Sequence, residues 1–204
     1  HPANYVLMYL CSMSDPGLVI LPAHRLLKSV GPPEIQKALQ TARRYFEITE
    51  FAFTPDDRQR VQDRFLRALG DGADRQCIGV YAHGAPVFHL LALTPGIMDE
   101  MFREELDPSL RPLDVSVLTR LVFMKILGFD RQRLDDDRLI GYASTADQAL
   151  QAIDTARFDV AFLLNPTRIE QVRQVAQKGL IMPRKSTYFY PKVKSGIVMN
   201  TLVD

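Results

Sequence analysis

The chain contains no tryptophan, only two cysteines and no long hydrophobic run. A membrane-spanning helix needs about 18 consecutive apolar residues, so the sequence predicts no membrane partner. No CxxC pair occurs, and Cys11 and Cys77 lie in apolar, strand-like surroundings. This usage predicts two buried free thiols in the reducing cytoplasm, although a disulfide between them stays open. The net charge of only +1 argues against general nucleic-acid binding.

Several common catalytic signatures are also missing. There is no phosphate-binding GxxxxGK[ST] loop and no GxGxxG, GxSxG or HExxH motif. His1, His24, His83 and His89 show no metal-ligand spacing, and the acidic run 135–137 lacks the spacing of a calcium loop. The sequence therefore predicts no metal site. These absences exclude the commonest signatures, but they do not exclude enzymes in general.

Alternating helical and strand patterns predict an α+β fold. The order is β-β-α-β-α-β-β in the first half and β-α-β-α-β-β in the second. Short hairpin signals make the sheets partly antiparallel. An irregular, charged segment at 97–112 suggests two mixed lobes, residues 1–96 and residues 97–204. A single continuous domain remains the alternative.

Strand pairs are expected at both ends of the chain. Residues 5–10 and 18–21 are apolar runs separated by the turn sequence Ser-Asp-Pro-Gly at 14–17, which predicts a hairpin. At the other end, residues 187–190 and 196–202 are predicted to form a second pair of strands. The first run is apolar on both faces, so it needs cover on both sides. We therefore expect an exposed apolar patch near residues 1–30, or a homo-oligomer contact that hides it.

The segment 182–192 has the composition of an anion-binding site. Cations, hydroxyls and aromatic rings occur together beside a predicted strand, and phosphate recognition needs such donors to converge. The alternative is an edge strand with solvated lysines and inward-facing aromatic rings. The candidate ligand-binding residues here are Lys185, Ser186, Thr187, Tyr188 and Lys192.

Two further positions could contribute to the same site. His24 and Arg25 follow a predicted strand, and their side chains suit proton exchange and anion binding, although an ordinary surface pair is the alternative. Asn165 and Thr167 precede a predicted helix, whose N-terminus attracts anions, although both could simply be caps. We expect His24 and Arg25 to share one concave surface with residues 185–192. No catalytic residue is predicted.

Four segments together resemble the bacterial and archaeal family called domain of unknown function 1015. They are residues 5–10, 15–25, 159–167 and 182–192, and the most specific is the run KSTYFYPK. Their order and separation match the family along essentially the whole chain. The chain departs from the family pattern at Ala23, where members usually have Thr, and at Arg184, where they usually have Gln.

The resemblance implies that this chain corresponds to the C-terminal part of a longer protein. Family members are much longer and carry an Asp-Gly-His-His-Arg motif ahead of the first strand here. That motif resembles one in the ParB and sulfiredoxin superfamily, where it helps to bind nucleotide phosphate and where some relatives are free-serine kinases. The resemblance therefore implies a nucleotide-dependent small-molecule phosphotransferase that uses ATP or ADP with Mg²⁺. The alternative is a non-catalytic module that binds a nucleotide, an acidic metabolite or a partner protein.

Overall fold

The structure, a computed structural model, describes residues 4, 6, 8–194 and 196–199. Its strands are β1 Val19–Leu21, β2 His24–Leu27, β3 Phe46–Ala52, β4 Cys77–Ala82, β5 Val87–Leu93, β6 Ile140–Ala143, β7 Val160–Leu164 and β8 Tyr188–Tyr190. Its α-helices are α1 Pro32–Ala42, α2 Arg58–Asp71, α3 Ile97–Phe102, α4 Asp114–Ser116, α5 Arg131–Leu134, α6 Ala146–Asp154 and α7 Ile169–Gln177. A 3₁₀ turn occupies Ala73–Arg75 and a π-helix occupies Val117–Ile126.

Six strands form one antiparallel sheet in the order β3-β5-β4-β7-β2-β6. The sheet contains strands from before and after residue 97. Strand β7, which follows residue 97, lies between β4 and β2, which both precede it. The remaining strands, β1 and β8, form a separate antiparallel ribbon. The predicted α+β fold is therefore confirmed. No helix within the part of the chain that the structure describes is long and apolar enough to cross a lipid bilayer.

Each face of the sheet is covered by helices. On one face, α2 presents Val61, Phe65 and Leu69 at four-residue intervals, and α6 packs beside it. Phe65 stacks on Phe88 with ring centres 4.9 Å apart. This contact requires glycine at position 79, because a Cβ there would lie 2.6 Å from Phe65. The opposite face packs against α1 and the π-helix.

The long helix that follows Pro112 is mostly a π-helix. One α-helical turn, α4, leads directly into Val117–Ile126. The backbone N–H of Leu127 donates to the carbonyl of Val122 at 2.9 Å, five residues earlier. This helix buries an almost continuous apolar surface against the sheet. Its buried side chains are Val117, Leu118, Leu121, Val122 and Phe123.

The predicted N-terminal hairpin is wrong. Val6 and residues 8–10 lie outside any strand, and their side chains are exposed. Residues 5 and 7 fall outside the described part of the chain. Strand β1 pairs instead with β8, with Val19 opposite Tyr190. Local turn chemistry suggested the nearest apolar run as the partner, whereas the ladder is formed by a strand near the other end of the sequence.

Two other expectations are corrected. Residues 196–199 form a turn and bends, so the strand predicted at 196–202 is absent there, and its last residues lie outside the described ranges. Cys77 is buried as expected, but Cys11 is exposed because it belongs to the irregular N-terminal segment. The burial of Cys77 raises the pKa of its thiol.

Exposed apolar side chains concentrate on the N-terminal segment and around the β1–β8 ribbon. Leu10 is 82% exposed, Met8 is 69% exposed and Met199 is 82% exposed. Ile181, at 87%, is an exposed side chain outside this group. Because contiguous apolar surface attracts hydrophobic dyes, we expect the protein to bind such a dye in its folded state.

Replacing both Met8 and Leu10 by Ser should lower the dye fluorescence by about half, while Ile181→Ser should change it little. Fluorescence titration with light scattering on the same samples checks this. A protein of monomeric mass that binds no dye would contradict the expectation. A dimeric mass without dye binding would show instead that the apolar side chains are covered by a second copy.

Candidate anion-binding site

His24 and Arg25 lie within a strand, which corrects their predicted position after a strand end. Strand β2 begins at His24 and runs between β6 and β7. Because successive residues of a strand point to opposite faces, the two side chains cannot share one pocket. His24 lies on the side of Leu26, toward α2 and α6, and Arg25 lies on the side of Leu27, toward the π-helix. The expectation that both residues line one concave surface is therefore wrong for His24.

The imidazole of His24 completes the hydrogen bonding of a neighbouring strand. It is only 3% exposed, and its Nδ1 accepts a hydrogen bond from the backbone N–H of Leu164 at 3.1 Å. Burial, with a smaller effect of the Arg25 charge, lowers the pKa of His24 to about 4. The ring is therefore neutral at physiological pH, with its proton on Nε2. Its contacts assign it a structural role.

The guanidinium of Arg25 is buried among carbonyl groups. Arg25 is 4% exposed, and its Nη2 donates to the carbonyl oxygens of Lys185 at 2.9 Å and Arg184 at 3.4 Å. Its Nη1 donates to the carbonyl of Ala23. Burial lowers the pKa of Arg25 to about 10, so the group stays protonated at neutral pH. Among the residues that the structure describes, no carboxylate contacts this charge.

Tyr142 brings Arg25 and Lys185 together. The tyrosine stands opposite Arg25 in the β2–β6 ladder. The Arg25 guanidinium lies 4.9 Å from the centre of its ring, and the Lys185 ammonium lies 5.3 Å from the same centre. Both are within the range of a cation–π interaction. The predicted association of Arg25 with the 182–192 segment is thus observed in the structure.

Beside Arg25 is a cavity of about 210 Å³, which we call the arginine pocket. Three arginines line it against a single carboxylate, so its lining carries an excess of positive charge. The carboxylate, Asp135, is held by Arg184 at 2.7 Å. The pocket is lined by Arg25, Thr119, Phe123, Arg131, Leu134, Asp135, Ile140, Tyr142, Pro183 and Arg184.

A second cavity of about 250 Å³, the lysine pocket, shares Tyr142 with the first. Its lining is Pro22, Ala23, Tyr142, Ala143, Ser144, Gln148, Lys185, Thr187 and Tyr188. Lys185 has a left-handed backbone conformation, with φ of 57°. In this conformation its carbonyl contacts Arg25 while its side chain reaches the other pocket. Such a φ is unusual for a residue other than glycine, and such strain clusters at functional sites.

The other candidates of this segment have different roles. Ser186 is buried, and its hydroxyl donates to the carbonyl of Pro183, so it is engaged inside its own loop. Thr187 and Tyr188 line the lysine pocket. Lys192 places its ammonium 4.7 Å from the centre of the Tyr188 ring. Part of the segment thus lines a pocket, and Tyr188 also belongs to the β1–β8 ribbon, where Tyr188 and Tyr190 are exposed and not inward-facing as the edge-strand alternative required.

Thr167 helps to fix the loop at the site, whereas Asn165 contacts helix α2. The Thr167 hydroxyl donates to the carbonyl of Ser186 at 2.7 Å, and the Asn165 amide donates to the carbonyl of Leu69 at 3.1 Å. Helix α7 begins after both residues, and the side chain of Gln171 accepts from the backbone N–H of Arg168. The predicted cap at Thr167 is therefore displaced by one residue. Neither side chain lines the arginine or the lysine pocket.

Asp114 is a titratable group that lies outside both pockets. Its carboxyl group is enclosed beside Asn165 and Arg168, in a cavity of about 20 Å³. Burial raises the pKa of Asp114 to about 7, although hydrogen bonds from Asn165 and the charge of Arg168 lower it. A carboxyl group of this kind is partly protonated at neutral pH.

Sequence reasoning missed Tyr142, Arg131 and the ion pair between Arg184 and Asp135. The strand containing Tyr142 was predicted, but its position opposite Arg25 depends on the register of two strands far apart in sequence. The acidic run at 135–137 was considered only as a calcium loop, which its spacing does not fit. Only the pairing of its first residue with a distant arginine shows that it borders the pocket.

Several solved structures are similar to this chain at low sequence identity. A conserved hypothetical protein from Pyrococcus furiosus is 9% identical with a TM-score of 0.45, over 88% of this chain and 59% of that one. A free serine kinase in complex with AMP is 11% identical with a TM-score of 0.43, over 88% and 56%. A mutant free serine kinase in complex with ADP is 10% identical with a TM-score of 0.45, over 89% and 57%.

This chain therefore spans less than two thirds of the length of the solved structures that it matches. No curated protein matches it. Residues 1–116, more than half of the chain, match a protein family, and the matched region includes the strand that carries Arg25. On this match the chain belongs to the family described as Protein of unknown function (DUF1015).

Proposed function

We propose that the protein binds the phosphate group of a small molecule, such as a nucleotide, in the arginine pocket. The observation that carries the proposal is the burial of Arg25 beside an open cavity without a carboxylate partner within the described chain. Neutral carbonyl groups satisfy some of its hydrogen bonds but leave its charge uncompensated. Buried charges are normally paired, so an anion in the pocket would supply the missing partner.

The charges around the pocket favour the same ligand. Arg131 is exposed and forms no ion pair with the residues that the structure describes. Arg184 keeps its partner Asp135, whose charge it offsets. Arg25 and Arg131 therefore leave two positive charges, which matches a phosphate group that is doubly ionised near neutral pH. Magnesium would enter with the phosphates of a nucleotide.

Phosphoryl transfer is the reaction class in which such cations would act, because it depends mainly on positioning and on neutralising the phosphate charge. A reaction also needs a group that accepts the proton of the acceptor. The one carboxylate among the pocket-lining residues, Asp135, is engaged by Arg184. This ion pair favours a second candidate function for the chain taken alone, namely a module that binds the phosphate compound without catalysing a reaction.

The binding proposal is tested by titrating phosphate, AMP, ADP and ATP into the protein. The heat of binding or the NMR chemical shifts of the protein give the affinity. Arg131→Gln is expected to weaken phosphate binding about fivefold to tenfold, because it removes a charge-assisted contact without disturbing a buried residue. The matched control is Arg44→Gln, an exposed arginine just before β3, at the opposite edge of the sheet. Its affinity should stay within about twofold of wild type.

Two results decide between the candidates. Equal phosphate affinities for wild type and Arg131→Gln, or no phosphate binding at all, would reject the arginine pocket. If binding is found, incubation with ATP, Mg²⁺ and small hydroxylated acceptors separates the alternatives. Phosphorylated product supports a phosphotransferase, and saturable binding without product supports the module.

A further inference from the structure

We infer that the ligand carries two anionic groups, one bound in the arginine pocket and the other in the lysine pocket, on either side of Tyr142. This inference rests on the proposed function, since the first group is the phosphate assigned to Arg25. It adds a second binding site and a chemical class of ligand, namely a compact molecule with two acidic groups joined by a short spacer.

The first argument is that the two pockets share Tyr142 as a common wall. Tyr142 lines both cavities, and the cations Arg25 and Lys185 lie at 4.9 Å and 5.3 Å from the centre of its ring. Because each cationic centre lies about 5 Å from the same ring centre, the two centres are at most about 10 Å apart. A ligand whose two acidic groups are joined by a short spacer has the size to reach both.

The loop that separates the pockets is the second argument. Arg184 and Lys185 are adjacent, yet Arg184 lines the arginine pocket and Lys185 lines the lysine pocket. Arg25 bonds the carbonyls of both residues, and Thr167 bonds the carbonyl of the next residue. Hydrogen bonds thus fix the loop from two sides. The positions of Arg25 and Lys185 are therefore set before a ligand arrives.

The chemistry of the lysine pocket is the third argument. The Lys185 ammonium forms no ion pair with any residue in the described ranges, and no carboxylate lines this cavity. The hydroxyls of Ser144 and Thr187 and the amide of Gln148 border it. One cation surrounded by neutral donors fits a singly charged group such as a carboxylate.

The test compares probes with one and two acidic groups on the same protein. Methylphosphonate carries one group, whereas pyrophosphate and 3-phosphonopropionate carry two. We expect the two-group probes to bind wild type about tenfold more tightly than methylphosphonate. Lys185→Gln should remove most of this advantage while changing methylphosphonate affinity by less than about twofold. Lys37→Gln, an exposed lysine on α1, is the matched control and should keep the full advantage.

The outcomes separate the inference from the proposal beneath it. If methylphosphonate binds but the two-group probes bind no more tightly, the two-group ligand is rejected and the phosphate site remains. The two-group ligand is also rejected if Lys185→Gln weakens every probe equally, because Lys185 would then belong to the first group's site. If no probe binds wild type, both the phosphate site and the two-group ligand are rejected.

Discussion

Replacing Asp114 by Asn is expected to stabilise the folded protein at pH 8 by about 2 to 4 kcal/mol and to change its stability little at pH 4. Burial raises the pKa of Asp114 to about 7 in the folded chain, against an ordinary value of 3.8. The unfolded chain therefore releases this proton near pH 4, and the folded chain releases it near pH 7. Between these values the wild-type protein loses stability as pH rises, and the Asn variant does not.

Urea unfolding of wild type and Asp114→Asn at intervals from pH 4 to pH 8 measures this difference. Asp56→Asn is the matched control, because Asp56 is exposed and forms no ion pair within the described chain. Its unfolding free energy should follow that of wild type at every pH. A constant difference between wild type and Asp114→Asn across the range would show that the Asp114 carboxyl group titrates alike in the two states.

His24 should produce the opposite pH dependence. Its pKa is about 4 in the folded protein and about 6.5 when unfolded, so the unfolded chain binds the proton more tightly. The wild-type protein is therefore expected to gain about 3 kcal/mol of unfolding free energy as pH rises from 4 to 6.5 through this group. His24→Asn keeps an acceptor near the position of Nδ1 but does not titrate, so it should lack this gain.

A second variant separates the hydrogen bond from the titration. His24→Leu removes the acceptor and leaves the backbone N–H of Leu164 buried without its partner. This should destabilise the protein by about 1 to 3 kcal/mol at pH 7, where the imidazole is neutral in the folded state and mostly neutral in the unfolded chain. Because Asp114 and His24 titrate over overlapping ranges with opposite signs, only the differences between each variant and wild type isolate them. Equal pH profiles for wild type and His24→Asn would contradict the assignment of a neutral, bonded imidazole.

Local periodicity identified most elements of the fold correctly. The four-residue spacing of Val61, Phe65 and Leu69 predicts a helix where α2 lies, and the short link at 83–85 predicts the β4–β5 hairpin. Strand β2 was missed because it begins with a histidine and an arginine, whose burial depends on neighbours far along the chain. Pairings between distant segments are set by tertiary packing, which no local pattern contains.

The site was predictable in residue type but not in arrangement. Arg25 and Lys185 were both candidates, and the structure brings them to one tyrosine. His24 is excluded from the arginine pocket because successive side chains of a strand point to opposite faces of the sheet. This rule could be applied only once the position of β2 was known. Lys185 in a left-handed conformation was also unpredictable, because a lysine gives no local indication of a positive φ.

The position of β7 between β4 and β2 has a consequence for how the chain folds as it is synthesised. Both neighbours of β7 come from the first ninety-six residues, yet they do not pair with each other. The N-terminal strands therefore emerge from the ribosome with a gap between them, and the gap closes only after residues 160–164 have been made. Until then two inner strand edges and their apolar faces are open to solvent, which is when such chains are most prone to aggregate.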